Sequence, residues 1–155
     1  MSSVSGPVWL DSRILLGLNE QVLRGTDESP GVRGGGIVRL EEALTRPEAR
    51  YRFENVCGIP YLAAYYAGAI TGKHPFHGGN KRTSLAAAGT FMYLNGLDIE
   101  AQLPPTEQGE EFDDEAYERI VALSTGNITV RDFGDWLALQ SIPCEEGEKA
   151  ESAEV

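Results

Sequence analysis

The sequence contains few of the residue types on which several classes of protein depend. It has two cysteines and two histidines in 155 residues. Cys57 and Cys144 lie far apart along the chain, and neither stands in a cluster with the spacing of metal ligands. This scarcity argues against a disulfide framework and against a structural zinc site, so we expect both cysteines to be ordinary thiols.

Long hydrophobic runs are also missing. The most apolar stretches, near 61–70 and 85–94, are interrupted by Gly, Thr or Tyr. They are shorter than the roughly 20 residues that a membrane-spanning helix needs. The first letters, MSSVSGPVWLDSR, lack the basic start and the apolar core of a secretory signal. We therefore predict a soluble, cytoplasmic protein with no membrane partner.

Positive charge is scarce as well. Lys and Arg together number 13 against 24 Asp and Glu, which gives a net charge of -11. A protein this acidic repels nucleic acid and anionic lipid, so we expect no nucleic-acid partner. Wherever basic side chains gather in such a chain, they require a specific explanation.

The chain does have enough apolar material for a single domain. Hydrophobic residues make up 41% of the sequence, which is sufficient to bury one core in a chain of this length. From residue 143 onward the sequence is mostly Glu, Gly, Lys, Ala and Ser, with almost nothing to bury. We predict one domain over residues 1–142 and a disordered acidic tail over residues 143–155.

Apolar residues recur at three-to-four spacing, whereas the alternating Val, Ile and Thr runs of strands are nearly absent. This pattern predicts an all-α fold, a compact bundle of about six helices. The predicted helices cover residues 9–23, 37–44, 51–70, 79–94, 110–124 and 130–140. Thr129 and Asp132 predict a capping box, and Asn95-Gly96 and Gly126 predict helix stops. The Gly-rich residues 26–36 predict a structured loop.

Basic side chains gather in one segment, which reads HPFHGGNKR over residues 74–82 and lies between the two central helices. No carboxylate occurs in this motif segment. Gly78 and Gly79 permit backbone angles that let successive N–H groups converge on an oxyanion. Three residues then enter the first turn of a helix: Asn80, Lys81 and Arg82. Unpaired N–H groups and the helix dipole favour phosphate at such a place, so the segment predicts a phosphate-binding loop.

His74 precedes Pro75, which we expect to end the preceding helix and to force extended geometry on His74. Its imidazole can then point toward the same phosphate, and a neutral histidine is the usual general base for a hydroxyl that attacks phosphorus. We expect Phe76 to be a buried structural anchor that pins the loop. For the glycines and the following Lys alone, a turn with a solvated face stays open as the alternative.

The complete order of residues 74–82 resembles the signature of the Fic/Doc superfamily, HxFx(D/E/N)(G/A)N(G/K)R. Lys81 and Thr83 resemble the Doc (death-on-curing) branch, because the Fic branch has Gly in place of Lys81 and a second Arg in place of Leu85. The flanking segments also resemble Doc-like proteins in the expected order: residues 29–33, 40–47, 61–73, 83–96 and 124–137.

The resemblance implies an all-α, nucleotide-dependent protein transferase. For the Doc branch it implies a toxin that transfers the terminal phosphate of ATP to a threonine of elongation factor Tu and so stops translation. For the Fic branch it implies adenylyl transfer to a target hydroxyl. It further implies Mg²⁺ bound with the nucleotide, and a small antitoxin as partner.

The same resemblance implies roles for individual residues of the motif segment. His74 would be the catalytic base. Asn80 and the N–H groups near Gly79 would hold phosphate. Lys81 and Arg82 would neutralise the charge that develops during transfer.

Gly78 departs from the signature, which has Asp, Glu or Asn at this position. In the family this acid helps to hold the magnesium ion that bridges the nucleotide phosphates, and glycine has no side chain to do so. Three explanations stay open: the metal is held by phosphates, water and another residue; the donor differs; or activity is lost while the anion site is kept. His77 is adjacent, but magnesium prefers oxygen ligands, so the motif segment supplies no metal ligand.

Overall fold

The computed structural model describes residues 6–56, 58–104 and 113–144. Cys57, residues 110–112 of the predicted fifth helix and the predicted tail beyond residue 144 lie outside these ranges. The described elements are α1 (Ser12–Leu23), α2 (Gly36–Glu54), α3 (Ile59–Lys73), α4 (Asn80–Leu94), β1 (Leu97–Ile99), α5 (Asp114–Thr125), α6 (Val130–Gln140) and β2 (Ser141–Pro143). These six helices confirm the all-α prediction. None of them combines the length and the apolar content that a membrane span requires.

Helix α3 is the centre of the fold and packs against α2, α4 and α6. Its buried positions include the small side chains of Ala63, Ala64 and Ala67, and α4 buries Ala86, Ala87 and Ala88. Small side chains let helix axes approach closely, so the two helices are held firmly together. The motif segment connects the end of α3 to the start of α4 and is fixed by this packing.

The helix ends follow local signals in the sequence. The Asp11 carboxylate accepts a hydrogen bond from the Ile14 N–H at 2.9 Å and caps α1. Thr129 and Asp132 form the predicted capping box of α6, with both hydrogen bonds at 3.0 Å. Gly126 ends α5 in the left-handed conformation, as predicted. These three ends depend on contacts within one turn, which explains why the sequence indicates them.

Helix α2 is longer than predicted, and the prediction of a single helix over 51–70 is wrong. The helix continues past the predicted end at residue 44, and Pro47 lies inside it and is buried. Proline removes one backbone hydrogen bond, but burial of this face against α3 offsets the loss. The break comes instead at Asn55, which is left-handed at φ 58°, and Pro60 then occupies the first turn of α3.

A short antiparallel ribbon was not predicted from the sequence. β1 and β2 pair with Leu97 opposite Pro143 and Ile99 opposite Ser141. The Cys144 N–H also donates to the Gly96 carbonyl at 3.0 Å. Pro143 therefore belongs to the ordered fold rather than to the predicted tail. Strands of three residues show no detectable alternation, and the proline lies in a two-stranded ribbon, where its missing N–H is tolerated.

Candidate active site

The motif segment begins where α3 ends, at His74. His74 adopts the left-handed conformation, with φ 53° and ψ 57°, and its N–H donates to the Ile70 carbonyl at 2.9 Å. The prediction that Pro75 forces extended geometry on His74 is therefore wrong. Left-handed geometry costs a non-glycine residue on the order of 1 kcal/mol, and surrounding contacts must offset that cost. One such contact is made by Arg33, whose Nε donates to the His74 carbonyl at 2.5 Å.

The middle of the segment is closed by a reciprocal pair of hydrogen bonds. The Phe76 N–H donates to Oδ1 of Asn80, and Nδ2 of Asn80 donates to the Phe76 carbonyl, both at 3.1 Å. The Phe76 side chain is fully buried in the core, where an anchor would lie, and Asn80 is buried as well. The structure thus gives the Asn80 amide a role in loop closure that the sequence did not suggest. Its backbone N–H stays the predicted phosphate donor.

The first turn of α4 has no side-chain cap. Gly79 precedes it in the left-handed conformation at φ 71°, whereas Gly78 has no positive φ. The Thr83 N–H donates to the Gly79 carbonyl at 2.8 Å, which is the first hydrogen bond of the helix. The N–H groups of residues 80–82 precede that bond and have no acceptor within the helix. An oxyanion would satisfy them and would also be favoured by the helix dipole.

Cations surround this junction of two helix ends. Lys81 is half-buried and Arg82 is exposed, and both lie in the first turn of α4. On the α3 side, Arg39 donates to the Lys73 carbonyl at 3.0 Å, next to the bond from Arg33 to the His74 carbonyl. Arg33 and Arg39 thereby satisfy carbonyls that the end of α3 leaves without partners. Neither arginine had been singled out in the sequence, because both contact the site from 34 or more positions away.

The environment of His74 favours its neutral form. Partial burial of the imidazole lowers the pKa of His74 below the ordinary 6.5. Three nearby cations lower this pKa further: Arg33, Lys81 and Arg39. A neutral imidazole can accept a proton near pH 7, which is the property that a general base needs.

Asn19 of α1 ties the motif segment to the rest of the fold, and sequence reasoning missed it. Its side chain is completely buried. Nδ2 donates to the Gly78 carbonyl at 2.9 Å and to Oγ1 of Thr83 at 3.2 Å, while Oδ1 accepts from the Gly31 N–H at 2.8 Å. The sequence places Asn19 among the apolar positions of α1, and a buried amide side chain requires hydrogen-bond partners. This pattern could have indicated that Asn19 has a structural role.

The Gly-rich loop predicted over residues 26–36 lies directly on the motif segment. Val32 and Phe76 form an antiparallel bridge. The Arg33 N–H donates to the Pro75 carbonyl, and the His77 N–H donates to the Gly31 carbonyl, both at 3.0 Å. The loop therefore has a defined place beside the candidate site rather than serving as a simple connection.

Glu28 of this loop lies against Gly78. A Cβ atom built on Gly78 would be 2.1 Å from Oε1 of Glu28 and 3.1 Å from its Cδ. Real Cβ atoms do not approach other heavy atoms this closely, so a side chain at position 78 and the present Glu28 position exclude each other. Within the described ranges, no hydrogen bond or ion pair engages the Glu28 carboxylate.

The described residues contain no group of three or more His, Cys, Asp or Glu side chains that could hold a metal ion by themselves. His77 is exposed and has no such partners. A Mg²⁺ ion, however, commonly uses only one or two carboxylates, and takes its other oxygens from phosphates and water. The described residues therefore do not form a metal cage, and a magnesium ion at this site would need oxygens from a bound phosphate group and water.

Comparison with known proteins agrees with the motif. The model of the Fic/DOC family matches residues 9–92, which is more than half of the chain. A protein of Escherichia phage P1 named protein kinase doc is 30% identical to the chain over 109 residues. That alignment covers 70% of this chain and 75% of the phage protein. The region matched by the family model contains the whole motif segment and the loop before α2.

The closure of the loop by Asn80 leads to a stability prediction. We expect Asn80→Ala to lower the free energy of unfolding by about 2 kcal/mol, because it leaves the buried Phe76 N–H and carbonyl without partners. Urea unfolding followed by circular dichroism measures this loss. Lys81→Ala, at the next position, is the matched control and should change stability by less than about 0.5 kcal/mol. Equal effects of the two substitutions would contradict the role given to the amide.

Proposed function

The chain belongs to the Fic/DOC family, in its Doc branch, and we propose that it is a toxin that transfers the terminal phosphate of ATP to a protein hydroxyl group. The name of the phage P1 relative supports kinase activity. A threonine of elongation factor Tu is the proposed acceptor, and a block of translation is the proposed outcome. We further propose a small antitoxin as the partner that holds the toxin in check.

One observation carries the phosphate-transfer proposal. The uncapped first turn of α4, with Lys81 and Arg82 in it, lies beside a histidine whose pKa is lowered. The N–H groups of residues 80–82 would bind the phosphates of ATP. The two cations would balance the negative charge that spreads over the phosphoryl oxygens during transfer.

His74 is the proposed general base. Its neutral imidazole would accept the proton of the acceptor hydroxyl while the hydroxyl oxygen forms a bond to the terminal phosphorus. The bond between that phosphorus and the bridging oxygen breaks, and ADP leaves with the electron pair. Arg33 acts as a positioning residue, because it holds the His74 carbonyl and keeps its charge near the ring.

Magnesium would be bound with the nucleotide, and its charge would offset that of the phosphates. Gly78 offers no side-chain oxygen, so any ligand from the protein has to come from another residue. The protein's own contribution at this place is the phosphate-binding turn of α4 and the cations that flank it.

Two other functions have a specific observation in their favour. Adenylyl transfer of the Fic type fits the shared motif, although Lys81 stands where the Fic branch has Gly. A binding protein without catalysis fits Gly78, because the usual metal-binding acid is absent from the motif segment. Two results separate these alternatives from phosphate transfer: which phosphate of ATP is transferred, and whether transfer requires His74.

Labelled ATP tests the reaction. We expect purified protein to transfer ³²P to elongation factor Tu from γ-labelled ATP and not from α-labelled ATP, with Mg²⁺ present. His74→Ala should abolish transfer while its circular dichroism spectrum and thermal unfolding stay those of the natural protein. Label from the α position would show adenylyl transfer instead, and label from neither position would contradict elongation factor Tu as the acceptor of either reaction.

The pH dependence of transfer tests the proposed base. Because the pKa of His74 is lowered, the neutral form persists to below pH 6.5, and the rate should fall only at more acidic pH. Arg33→Ala removes one of the charges that lower this pKa, so the acidic midpoint of the rate profile should move upward toward 6.5. Arg33→Lys keeps the charge and should leave the midpoint nearly unchanged. A midpoint that does not respond to Arg33→Ala would contradict the role given to the Arg33 charge in lowering the pKa of His74.

A further inference from the structure

Gly78 has no side chain, and the carboxylate of Glu28 lies next to it. Gly78 has no positive φ, so its backbone does not require glycine. The atom nearest to the place of a Cβ there is Oε1 of Glu28, at 2.1 Å, so a side chain at position 78 would require the flexible Glu28 side chain to move. The space that an acidic side chain at position 78 would enter is therefore already taken by a carboxylate from elsewhere in the chain.

Hydrogen bonds hold the segment that carries Glu28 in this place. The Glu28 N–H donates to Oγ1 of Thr26 at 3.2 Å, and that hydroxyl donates to the Leu23 carbonyl at the end of α1, at 2.7 Å. On the other side, the buried Asn19 accepts from the Gly31 N–H and donates to the Gly78 carbonyl. One side chain thus connects the segment after Glu28 to Gly78 itself, which fixes the two against each other.

The carboxylate itself is available to a ligand. Glu28 is exposed, and no described residue donates a hydrogen bond to its carboxylate or forms an ion pair with it. It lies beside Gly78, two residues before the first residue of α4, where nucleotide phosphates would supply further oxygens. A carboxylate oxygen next to phosphate oxygens is the ligand combination that Mg²⁺ prefers.

We propose that Glu28 supplies the carboxylate ligand of the nucleotide-bound Mg²⁺, in place of the acid that the motif segment lacks at position 78. This inference rests on the proposed function, since it requires the nucleotide to bind at α4. Under this proposal, Gly78 does not indicate lost activity. Glu28 of the preceding loop supplies the carboxylate, and the absence of a side chain at Gly78 leaves room for it.

Calorimetric binding of the non-hydrolysable ATP analogue AMP-PNP, with Mg²⁺ and with EDTA, tests the assignment apart from turnover. We expect the natural protein to bind more tightly with Mg²⁺. Glu28→Ala should reduce affinity with Mg²⁺ at least about tenfold and leave affinity in EDTA unchanged. Asp27→Ala, which removes the same charge one position earlier, is the matched control and should behave like the natural protein. Glu28→Gln keeps the side-chain volume and should show the same loss as Glu28→Ala.

Exchange of the carboxylate between the two positions provides the stronger test. In the double variant Glu28→Ala/Gly78→Asp the space beside residue 78 is empty, so the new Asp should restore Mg²⁺-dependent binding.

If Glu28→Ala and Glu28→Gln keep the full effect of Mg²⁺, Glu28 is not the ligand, although the proposed function stands. If the natural protein binds AMP-PNP equally well in EDTA, the assignment is also overturned. If it binds AMP-PNP under neither condition, the proposed nucleotide site fails, and the Glu28 assignment fails with it.

Discussion

The reciprocal hydrogen bonds between the Asn80 amide and the Phe76 backbone determine the geometry of the site. They close the connection between α3 and α4 into one conformation, with the Phe76 side chain buried beneath it. This closure places His74, at the end of one helix, near Lys81, at the start of the next. Without this closure, the distance and orientation between the imidazole and the N–H groups of the first turn of α4 would not be fixed. A phosphate group held by those N–H groups would then not be placed next to the imidazole.

The C-terminal end of α3 and the N-terminal end of α4 meet at this junction, and among the described residues only the first has side-chain hydrogen-bond partners. The carbonyl end of α3 is satisfied by Arg33 and Arg39, which also bring positive charge toward His74. The N–H end of α4 has no side-chain cap. A bound phosphate group would accept hydrogen bonds from the N–H groups at the start of α4. Desolvation of the imidazole, together with the nearby cations, lowers the pKa of His74. Loop closure, the proposed anion site and the lowered pKa of His74 therefore share one arrangement.

The sequence predicted what depends on neighbouring residues. The capping box at Thr129 and the uncapped, Gly-preceded start of α4 follow from a few adjacent letters, and so does the family resemblance. Contacts between distant segments were not predictable in this way. The bond from Asn19 to the Gly78 carbonyl spans 59 positions, and the contact of Glu28 with Gly78 likewise joins distant segments. The helix α2 runs through Pro47, because burial against α3, a tertiary effect, outweighs the local helix-breaking propensity of proline.

The central claim is that the first turn of α4 binds the phosphates of a nucleotide. The most direct measurement is a titration of ¹⁵N-labelled protein with AMP-PNP and Mg²⁺, followed by the backbone amide signals in NMR spectra. We predict that the largest shifts occur at the N–H groups of residues 80–82, with smaller ones at Gly79 and His74. Shifts that are confined to other parts of the protein, with residues 80–82 unchanged, would contradict the account.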